Sequence, residues 1–325
     1  MPNFAGSYIS EFTEKELKTS GAPDAHLINR SADLASLEAV IFDHSDNLWV
    51  TNCSDSTLGT GTVEEFTHAQ LSALSHNPVP PAAVTLVDDG QFDIFECPYG
   101  ERFDSGGNLW VVNRFMPDLI EFTPSQLKAG GIQYPHTTIT SDPFEQIEDV
   151  VFDHSGNLWT IDIDASRVYG FKAATLAAAA GTSSNITPDI INSSTALNGP
   201  ASLVFDDAGN QWVANCSAGT VVEFAATDIA ATGSPAPKVT IASTPVTTPF
   251  GSADSLSCPE GLELDKHGDL WVANAASDNT GSLAEFTPGQ LAADGSPVPA
   301  VFLDANSTQS NLDEPVLLSF GPAVK

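Results

Sequence analysis

The four cysteines of the sequence occupy two kinds of position, and each kind is used twice. Cys53 and Cys216 directly follow a W-V-x-N phrase, and Cys97 and Cys258 each begin a Cys-Pro pair. Thiols placed in this way can form disulfides, bind a metal or remain free. No C-x-x-C pair and no neighbouring histidine spacing supports a zinc site. Four unrelated buried thiols would not explain why the same placement occurs twice.

Other catalytic motifs are absent from the sequence. The seven histidines include no H-E-x-x-H spacing, and no G-x-S-x-G phrase occurs. The first motif would place two imidazoles on zinc, and the second would present a nucleophilic serine. The sequence therefore supports neither a zinc peptidase nor a serine hydrolase triad.

The composition excludes several classes of partner. Hydrophobic residues make up 42% of the 325 residues and charged residues 16%, which is enough to bury a large core. The 42 acidic residues outnumber the 11 basic ones, and the net charge of −31 repels nucleic-acid backbones and anionic lipid. No apolar run reaches the ~18 residues of a membrane helix. We therefore expect no nucleic-acid partner and no membrane insertion.

A phrase of about a dozen residues recurs five times. It reads FDHSDNLWVTNC, FDSGGNLWVVNR, FDHSGNLWTIDI, FDDAGNQWVANC and LDKHGDLWVANA, and its Asp residues lie 61, 49, 53 and 59 residues apart. Spacings near 50 are typical of propellers and solenoids. Each copy reads as a β-hairpin with a D-x-x-G-N turn. Its glycine, replaced by Asp46 in the first copy, stands where such a turn requires a positive φ.

Each hairpin is followed by two more predicted strands, the first of which ends in an E-F-T phrase. Four strands per repeat predict an all-β fold, a six-bladed β-propeller of four-stranded blades, because solenoids have one strand or none per repeat. The five Trp are predicted to pack between blades. The single domain, 1–325, is divided into blades at 37–88, 98–142, 147–193, 199–243 and 258–304, with a sixth formed by 314–325 plus 1–30.

The sixth blade is predicted to join the two ends of the chain and to be incomplete. Asn3 aligns with Asn215, which ends a second strand, so the matching G-N-L-W-V segment is expected upstream of residue 1. This blade is therefore expected to have three strands, unless the GPAVK tail (321–325) completes it. Closing the ring removes the exposed sheet edges that an open array would leave.

The blade geometry predicts how the cysteines pair. A second strand ends on the face where the next first strand begins, so Cys53 is expected beside Cys97 and Cys216 beside Cys258. We predict two disulfides that each join a blade to its successor, closing loops that would stabilise the fold by about 4 kcal/mol each. Disulfides imply an oxidising compartment, so we expect a secreted or periplasmic protein. MPNFAGSYIS has no signal-peptide pattern, so the leader is expected to be absent from this chain.

The phrase x-D-x-x-G-N-L-W-V-x-N, in blades of this length, resembles the NHL-repeat propellers. More distantly, the chain is similar to the six-bladed gluconolactonase and senescence-marker-protein group and to strictosidine-synthase-like proteins. Streptogramin lyases repeat a similar G-N-L-W phrase, but that family is seven-bladed, whereas six blades are counted here. The resemblance covers nearly the whole chain and implies architecture far more than function.

The gluconolactonase resemblance implies a divalent metal at the mouth of the central channel, held by side chains at the starts of the innermost strands. The matching positions, five residues before each turn Asp, carry Glu38, Tyr99, Glu148, Ala201 and Glu260, with Val316 in the sixth blade. The three Glu form the predicted metal set, and Ca²⁺ is the predicted cofactor because it prefers oxygen ligands. Glu148 and the adjacent Asp149 are the candidate catalytic bases. The alternative is that each Glu accepts backbone N–H bonds at a blade junction.

Amide and guanidinium groups are predicted on the same face. The amides end the second strands, beside Asp162 and Asn3 in matching positions, and they bind a ligand or, alternatively, cap turns: Asn52, Asn113, Asn215 and Asn274. Three basic residues in blades 2 and 3 hold a ligand carboxylate or, alternatively, balance neighbouring acidic residues: Arg102, Arg114 and Arg167.

Two functions remain open from the sequence. The first is a non-catalytic module that binds a small molecule or a protein across the face carrying the disulfides, with rim loops at 92–100 and 113–118. The second is a Ca²⁺-dependent lactonase or related hydrolase, in which the cation polarises a carbonyl and Glu148 or Asp149 acts as the base. In either case we expect a monomer.

Overall fold

The computed structural model of the chain describes residues 1–3, 8–21, 23, 26–28, 36–53, 61–72, 81–88, 90–91, 93–248, 251–275, 281–304, 312 and 314–321. The first strands are β1 (Pro2–Asn3), β2 (Tyr8–Glu11) and β3 (His26–Ile28), and a 3-10 turn lies at Glu16–Lys18. These strands form an antiparallel three-stranded sheet, which we call the terminal sheet.

Blades 1 and 2 are formed by the first two repeats. Blade 1 contains β4 (Leu37–Phe42), β5 (Leu48–Asn52), β6 (Thr62–Phe66), helix α1 (His68–Ser72) and β7 (Val84–Val87). Blade 2 contains β8 (Pro98–Phe103), β9 (Leu109–Asn113), β10 (Asp118–Phe122), helix α2 (Pro124–Ala129), the short β11 (Gly131–Ile132) and β12 (Thr137–Thr140). The edge strand β11 pairs back onto β7 of blade 1.

Blades 3 to 5 repeat this order. Blade 3 contains β13 (Ile147–Phe152), β14 (Leu158–Asp162), β15 (Arg167–Phe171), helix α3 (Ala173–Ala179), β16 (Ser183–Asn185) and β17 (Ile190–Asn192). Blade 4 contains β18 (Pro200–Phe205), β19 (Gln211–Asn215), β20 (Thr220–Phe224) and β21 (Val239–Ala242), and a separate hairpin follows, β22 (Pro245–Thr248) and β23 (Gly251–Asp254). Blade 5 contains β24 (Pro259–Leu264), β25 (Leu270–Ala275), β26 (Gly281–Phe286) and β27 (Val301–Asp304).

The four main strands of each blade are antiparallel neighbours, and the first strands of successive blades contact one another around a central channel. The fold is therefore an all-β propeller, as the repeat predicts. Apolar side chains of adjacent blades form its core. Trp110 and Val112 of blade 2, for example, share a cluster with Val150 and Tyr169 of blade 3. No helix among the described residues is long and apolar enough to cross a membrane.

The number of complete blades differs from the prediction of six. The structure has five four-stranded blades, and the terminal sheet has three strands. Residues 314–321 form no regular strand, and Pro315 lacks the N–H that a strand ladder requires. One longer backbone bond joins them to the terminal sheet, from the N–H of Val316 to the carbonyl of Pro2 at 3.4 Å.

A bulge recurs at the start of each first strand and positions the channel residues. The pairing register shifts between Leu37 and Ala39 in blade 1, and the other four blades shift at the matching residues. A bulge leaves one residue out of the ladder and reorients its side chain. The displaced position contains Glu38 in blade 1, Glu148 in blade 3 and Glu260 in blade 5.

The hairpin turns have the predicted backbone. The turn glycines of blades 2 to 5 have φ between 75° and 79°, and Asp46 has φ of 61° in blade 1. The turn Asp accepts backbone N–H bonds from the residues two and four positions later, as Asp206 does from Ala208 at 2.9 Å and Asn210 at 2.8 Å. Asn210 also donates its side-chain amide to Asp206 at 2.9 Å.

Candidate functional site

The mouth is the end of the central channel at which the five first strands begin. Arg114, which directly follows β9, lies within it. Its Nη2 is 2.6 Å from Oε1 of Glu148, and its guanidinium carbon lies 4.8 Å from the centroid of the Tyr99 ring. With the amide oxygen of Gln146 facing it, Nε and Nη2 each donate to that oxygen at 2.8 Å. The structure thus gives Arg114 one buried carboxylate, one amide and one aromatic face.

The mouth carboxylates are buried and interact electrostatically across the channel. Burial, followed by repulsion from Glu148, raises the pKa of Glu260 to about 8. Burial also raises the pKa of Glu148 to about 7, although Arg114 opposes this rise. The pKa of Glu38 lies well above its usual range because the side chain is buried, with further repulsion from Glu260 and Glu148. These groups therefore hold protons at pH values where exposed carboxylates are ionised.

The balance of charge in the mouth is unequal. Three carboxylates face one guanidinium, and the Oε2 atom of Glu38 is buried without a hydrogen-bond partner among the described residues. Burial lowers the pKa of Arg114, but Glu148, Tyr99, Glu38 and Glu260 raise it further, so its net shift is upward. When all the carboxylates are ionised, this pocket carries two surplus negative charges.

The predicted metal set does not converge on one point. Among the described residues, no set of ligand atoms within 4.8 Å of one another includes Glu38, Glu148 and Glu260 together. Arg114 also engages Glu148 directly. Ca²⁺ requires six to eight oxygen ligands at 2.3–2.6 Å. The residues present therefore do not fit the single cation that the lactonase resemblance implies.

The two predicted disulfides are confirmed. Cys53 is bonded to Cys97 and Cys216 to Cys258, and each bond joins a blade to its successor. Both lie beside a mouth carboxylate, since the sulfur of Cys258 is 3.4 Å from Oε1 of Glu260 and Glu38 lies close to Cys53 and Cys97. Because these sulfurs are bonded to each other, they are not thiolate ligands for a metal.

Asp149, one of the two candidate bases, is held by interactions of the fold. Its carboxylate accepts the hydroxyl of Ser202 at 2.9 Å and the N–H groups of Leu203 and Val150 at 3.1 and 2.8 Å. Ser202 in turn accepts the N–H of Leu262 at 3.2 Å, so this chain of bonds links blades 3, 4 and 5. Glu148 lies in the mouth instead.

The predicted amide ring takes the capping geometry that the sequence left as an alternative. Asn52 accepts the N–H of Ser36 at 3.0 Å, and Asn215 accepts that of Asn198 at 3.0 Å and donates to the carbonyl of Ala196 at 3.1 Å. The amides of Asn113 and Asn274 donate to carbonyls of the preceding connection, at 3.0 and 3.1 Å. Asp162 accepts three backbone N–H groups there. Asn3 lies in β1, and its side chain is outside the described part.

The other two arginines lie apart from this pocket. Nη1 of Arg102 is 3.5 Å from Oε2 of Glu263, which joins the first strands of blades 2 and 5. Arg167 begins β15 opposite Asp162 and forms a side-chain hydrogen bond with Tyr169. Of the three predicted arginines, only Arg114 thus contacts a mouth carboxylate among the described contacts.

Sequence reasoning missed one buried acid near the channel. Glu101 occupies the slot that Val40, Val150 and Leu203 fill in other blades, and burial raises its pKa well above the usual range. Neither carboxylate oxygen has a partner among the described residues. A charged residue in an apolar alignment column was the signal that could have identified it.

The rim loops were predicted as binding surfaces, and parts of them are exposed. Phe115 and Met116 are 55% and 49% exposed, whereas Ile94 and Phe95 are buried in the core between blades 1 and 2. Phe92 lies outside the described residues. The exposed apolar part of the rim is therefore the turn that follows β9.

No protein-family profile matches this chain, and no curated protein matches it. Among solved structures it is similar to a streptogramin B lyase, at 12% identity and a TM-score of 0.51, with 89% of this chain and 88% of that one covered. It is also similar to the extracellular domain of a one-component system from B. thetaiotaomicron, at 14% identity and a TM-score of 0.50, covering 87% of this chain and 34% of that one. A protein described as a gluconolactonase matches at 11% identity and a TM-score of 0.49, covering 94% and 84%. At these identities the likenesses show the propeller fold alone.

Proposed function

We propose that this chain is an extracytoplasmic binding module that takes a small organic cation at the channel mouth. The observation that carries this proposal is the charge balance there, in which Glu38, Glu148 and Glu260 share one guanidinium, that of Arg114. An ionised ligand amine would offset the surplus negative charge and supply a donor to the buried Oε2 of Glu38. The raised pKa values measure how unfavourable the pocket is without such a partner.

An organic cation fits this pocket better than a bare metal ion. An ammonium group with several N–H donors can reach carboxylates on different blades, whereas a metal needs all its ligands at one short distance. The Tyr99 ring, which already lies beside a guanidinium, gives the pocket an aromatic wall. Glu38 and Glu260 are the proposed ligand acceptors, and Arg114 is proposed to keep Glu148 in place.

Titration calorimetry with putrescine and n-butylammonium tests this proposal, with butyrate as the anionic control. We expect binding to strengthen as pH rises from 6 to 9, because Glu148 and Glu260 ionise near pH 7 and 8. Glu260→Gln should weaken amine binding at least tenfold, whereas the matched change at the exposed Glu145 should not. Equal affinity of wild type and E260Q, or preference for butyrate, would overturn the proposal.

A second candidate rests on the pKa of Glu148. A carboxyl group with a pKa of about 7 is suited to general base catalysis at neutral pH. The hydrolase that the sequence suggested would use this residue, whereas Asp149 is engaged by Ser202 and Leu203. A panel of γ- and δ-lactones assayed with wild type and Glu148→Gln separates the two functions. Turnover that is lost in E148Q would favour the hydrolase.

An extracytoplasmic location is part of the proposal and is supported by the disulfides. Both pairs of cysteines are bonded, which is typical of proteins that fold in oxidising compartments. Fractionation of the producing cell, followed by labelling of thiols with and without reductant, tests it. Labelling without reductant in the native compartment would contradict this location.

We also propose that the ring has six positions, with the terminal sheet and residues 314–321 forming the sixth. A Cβ on Gly61 would meet Cδ of Pro98 in blade 2 at 2.2 Å, and one on Gly281 would meet Cδ of Pro315 at 2.1 Å in the same way. Parallel bridges link outer segments of successive blades, as between Ile241 and Gly295, and another links Leu303 of blade 5 to Gly21. Both contacts support a sixth unit directly after blade 5.

A further inference from the structure

An apolar groove opens between the terminal sheet, blade 1 and blade 5. Its volume is about 340 Å³, which is within the range of sites that bind small molecules or side chains. Its apolar lining comes from three directions: Phe12 and Phe320, Phe42 and Leu48 of blade 1, and Trp271 and Leu283 of blade 5. The groove lies between blades and is separate from the mouth described above.

The rest of the ring indicates what side chain this groove lacks. The Trp of each second strand packs against the aromatic residue that ends the next blade's first strand, as Trp49 does against Phe103 with centroids 6.0 Å apart. Blades 2 and 3 repeat this contact, and Trp271 makes it with Phe320 at 6.2 Å. Phe42 is the residue that should receive the next Trp, and it lines the groove.

The strand register locates the missing residues. In blade 1, Val50, Trp49 and Leu48 pair with Glu64, Glu65 and Phe66. In the terminal sheet Asn3 pairs with Tyr8 and Pro2 with Ile9, and Met1 exchanges backbone bonds with Ser10. Met1 therefore stands in the valine position, and no described strand pairs with Glu11 and Phe12, where Trp and Leu would follow.

We propose that this groove binds the C-terminal end of an extended partner peptide in which an aliphatic residue precedes a terminal tryptophan. The peptide would enter as a strand between β2 and residues 318–321, in line with β1, and add the missing part of the sheet. Adjacent side chains of a strand point to opposite faces. The indole would lie against Phe42, and the aliphatic side chain would lie against Leu283 and Trp271.

Charge complementarity favours a peptide that ends at this point. The amino group of Met1 lies at the inner end of the groove and donates to the carbonyl of Ser10 at 3.1 Å. A strand running in the direction of β1 brings its C-terminal carboxylate to this amine. Burial lowers the pKa of the Met1 amine to about 5, so an adjacent carboxylate would favour its protonated form.

The outer end of the groove indicates the chemistry of the preceding residues. In blades 1 and 3 an Asn one residue before the Leu-Trp pair accepts a backbone N–H at the start of the following helix, from His68 and from Ala173, both at 3.0 Å. The matching group here is the N–H of Glu14. Glu11 and Glu14 both line the groove, and the chain carries a net charge of −31, so a basic residue upstream is favoured.

The experiment is a titration of the full chain with the peptide Lys-Gly-Asn-Leu-Trp, labelled at its N-terminus and carrying a free carboxylate. We expect saturable binding that falls at least tenfold when the Trp is replaced by Ser or the carboxylate by an amide. Calorimetry at pH 7 in buffers of different ionisation enthalpy should show proton uptake for the free carboxylate only.

Two protein variants locate the binding site. Phe42→Ala should weaken peptide binding at least tenfold, whereas Phe103→Ala, where Trp49 already occupies the matching position, should not. No binding by the wild-type chain, or equal binding of the Ser peptide, would overturn the proposal without any variant. A rise in Tm when Gly-Asn-Leu-Trp is fused ahead of Met1, with no binding of the free peptide, would also overturn it.

Discussion

At the scale of single residues, the mouth depends on carboxyl groups that retain protons. Glu260 lies beside the Cys216–Cys258 disulfide and near Glu148, and its pKa is raised to about 8 by burial and then by that neighbour. An unfolded Glu titrates near 4.3. The folded chain therefore binds more protons than the unfolded chain between these pH values. Stability from this group is complete below about pH 4 and is lost as pH rises through 8.

Glu260→Gln tests this linkage. Gln keeps the shape of the side chain and has no charge to bury, so the variant should gain stability over wild type at pH 8.5, on the order of 2 kcal/mol. The gain should be near zero at pH 4.5, where wild type is protonated. Urea unfolding at the two pH values measures the difference. The same change at both pH values, or an equal gain in the exposed control Glu145→Gln, would contradict this assignment.

Arg114 holds the other half of the mouth. Its ion pair with Glu148 at 2.6 Å is mostly buried, so removing the cation leaves that carboxylate with only part of its compensation. Arg114→Gln should destabilise the fold by about 2 kcal/mol at pH 8 and by less at pH 5, where Glu148 is neutral. Thermal unfolding at both pH values checks this, and an equal loss at the two would indicate a packing role alone.

The residue positions were predictable from the sequence only in part. Counting five residues back from each turn Asp located Glu38, Glu148 and Glu260 at the bulges, because the repeat fixes that register. The partner of Glu148 was not predictable, since Arg114 belongs to the preceding blade. Nor could the sequence decide between ligand and cap for Asn215, because both functions require the same amide at the same strand end.

At the scale of elements, the hairpin turn of blade 5 differs from the other four. Asp269 replaces the Asn that elsewhere donates to the turn Asp, and its ligand atoms lie within 4.8 Å of those of Asp265 and Glu285. Burial, then Asp269 and Asp265, raises the pKa of Glu285 to about 7. Burial and Asp265 also raise the pKa of Asp269. This turn therefore becomes less stable as pH rises toward 7.

Asp269→Asn should stabilise the chain. It restores an amide that can donate to Asp265, as Asn210 does to Asp206 at 2.9 Å, and it removes one of three like charges. We expect a gain of about 1 kcal/mol at pH 8 and little change at pH 4.5. The reciprocal Asn47→Asp in blade 1, beside Asp43 and Glu65, should lose stability with the same pH dependence. Opposite signs in the two variants would contradict the argument.

The disulfides act between elements. Each closes a loop of 44 or 42 residues across a blade junction. Replacing Cys216 and Cys258 together by Ser should therefore reduce the free energy of unfolding by about 4 kcal/mol. Guanidinium unfolding of this variant, beside wild type with and without reductant, measures the loss. Reductant should have a smaller effect on the variant than on wild type, because one bond is already missing.

The elements were easier to predict than the closure of the ring. The hairpins follow from alternating apolar residues around a D-x-x-G-N turn, which is local information. The hairpin β22–β23 was missed because its residues follow no repeat. The sixth unit depends on two ends of the chain that lie far apart in sequence, and 314–321 carries too little strand signal to fix its pairing.

At the scale of the whole molecule, the net charge of −31 acts on every element at once. Like charges on a compact body repel, so dissolved salt should stabilise the native state by screening. This effect does not depend on the identity of the cation beyond its contribution to ionic strength. A bound metal would behave differently, because it stabilises only the state that contains its site.

Calcium therefore distinguishes screening from a site. Because Glu38, Glu148 and Glu260 do not converge and Arg114 binds one of them, we expect CaCl₂, MgCl₂ and NaCl at equal ionic strength to raise Tm by equal amounts after chelation. Scanning calorimetry of wild type, E260Q and D269N measures this. A rise specific to Ca²⁺ that disappears in E260Q would restore the metal site that the sequence suggested. A specific rise that disappears only in D269N would locate the ion at the turn of blade 5, and the mouth would remain a site for organic cations.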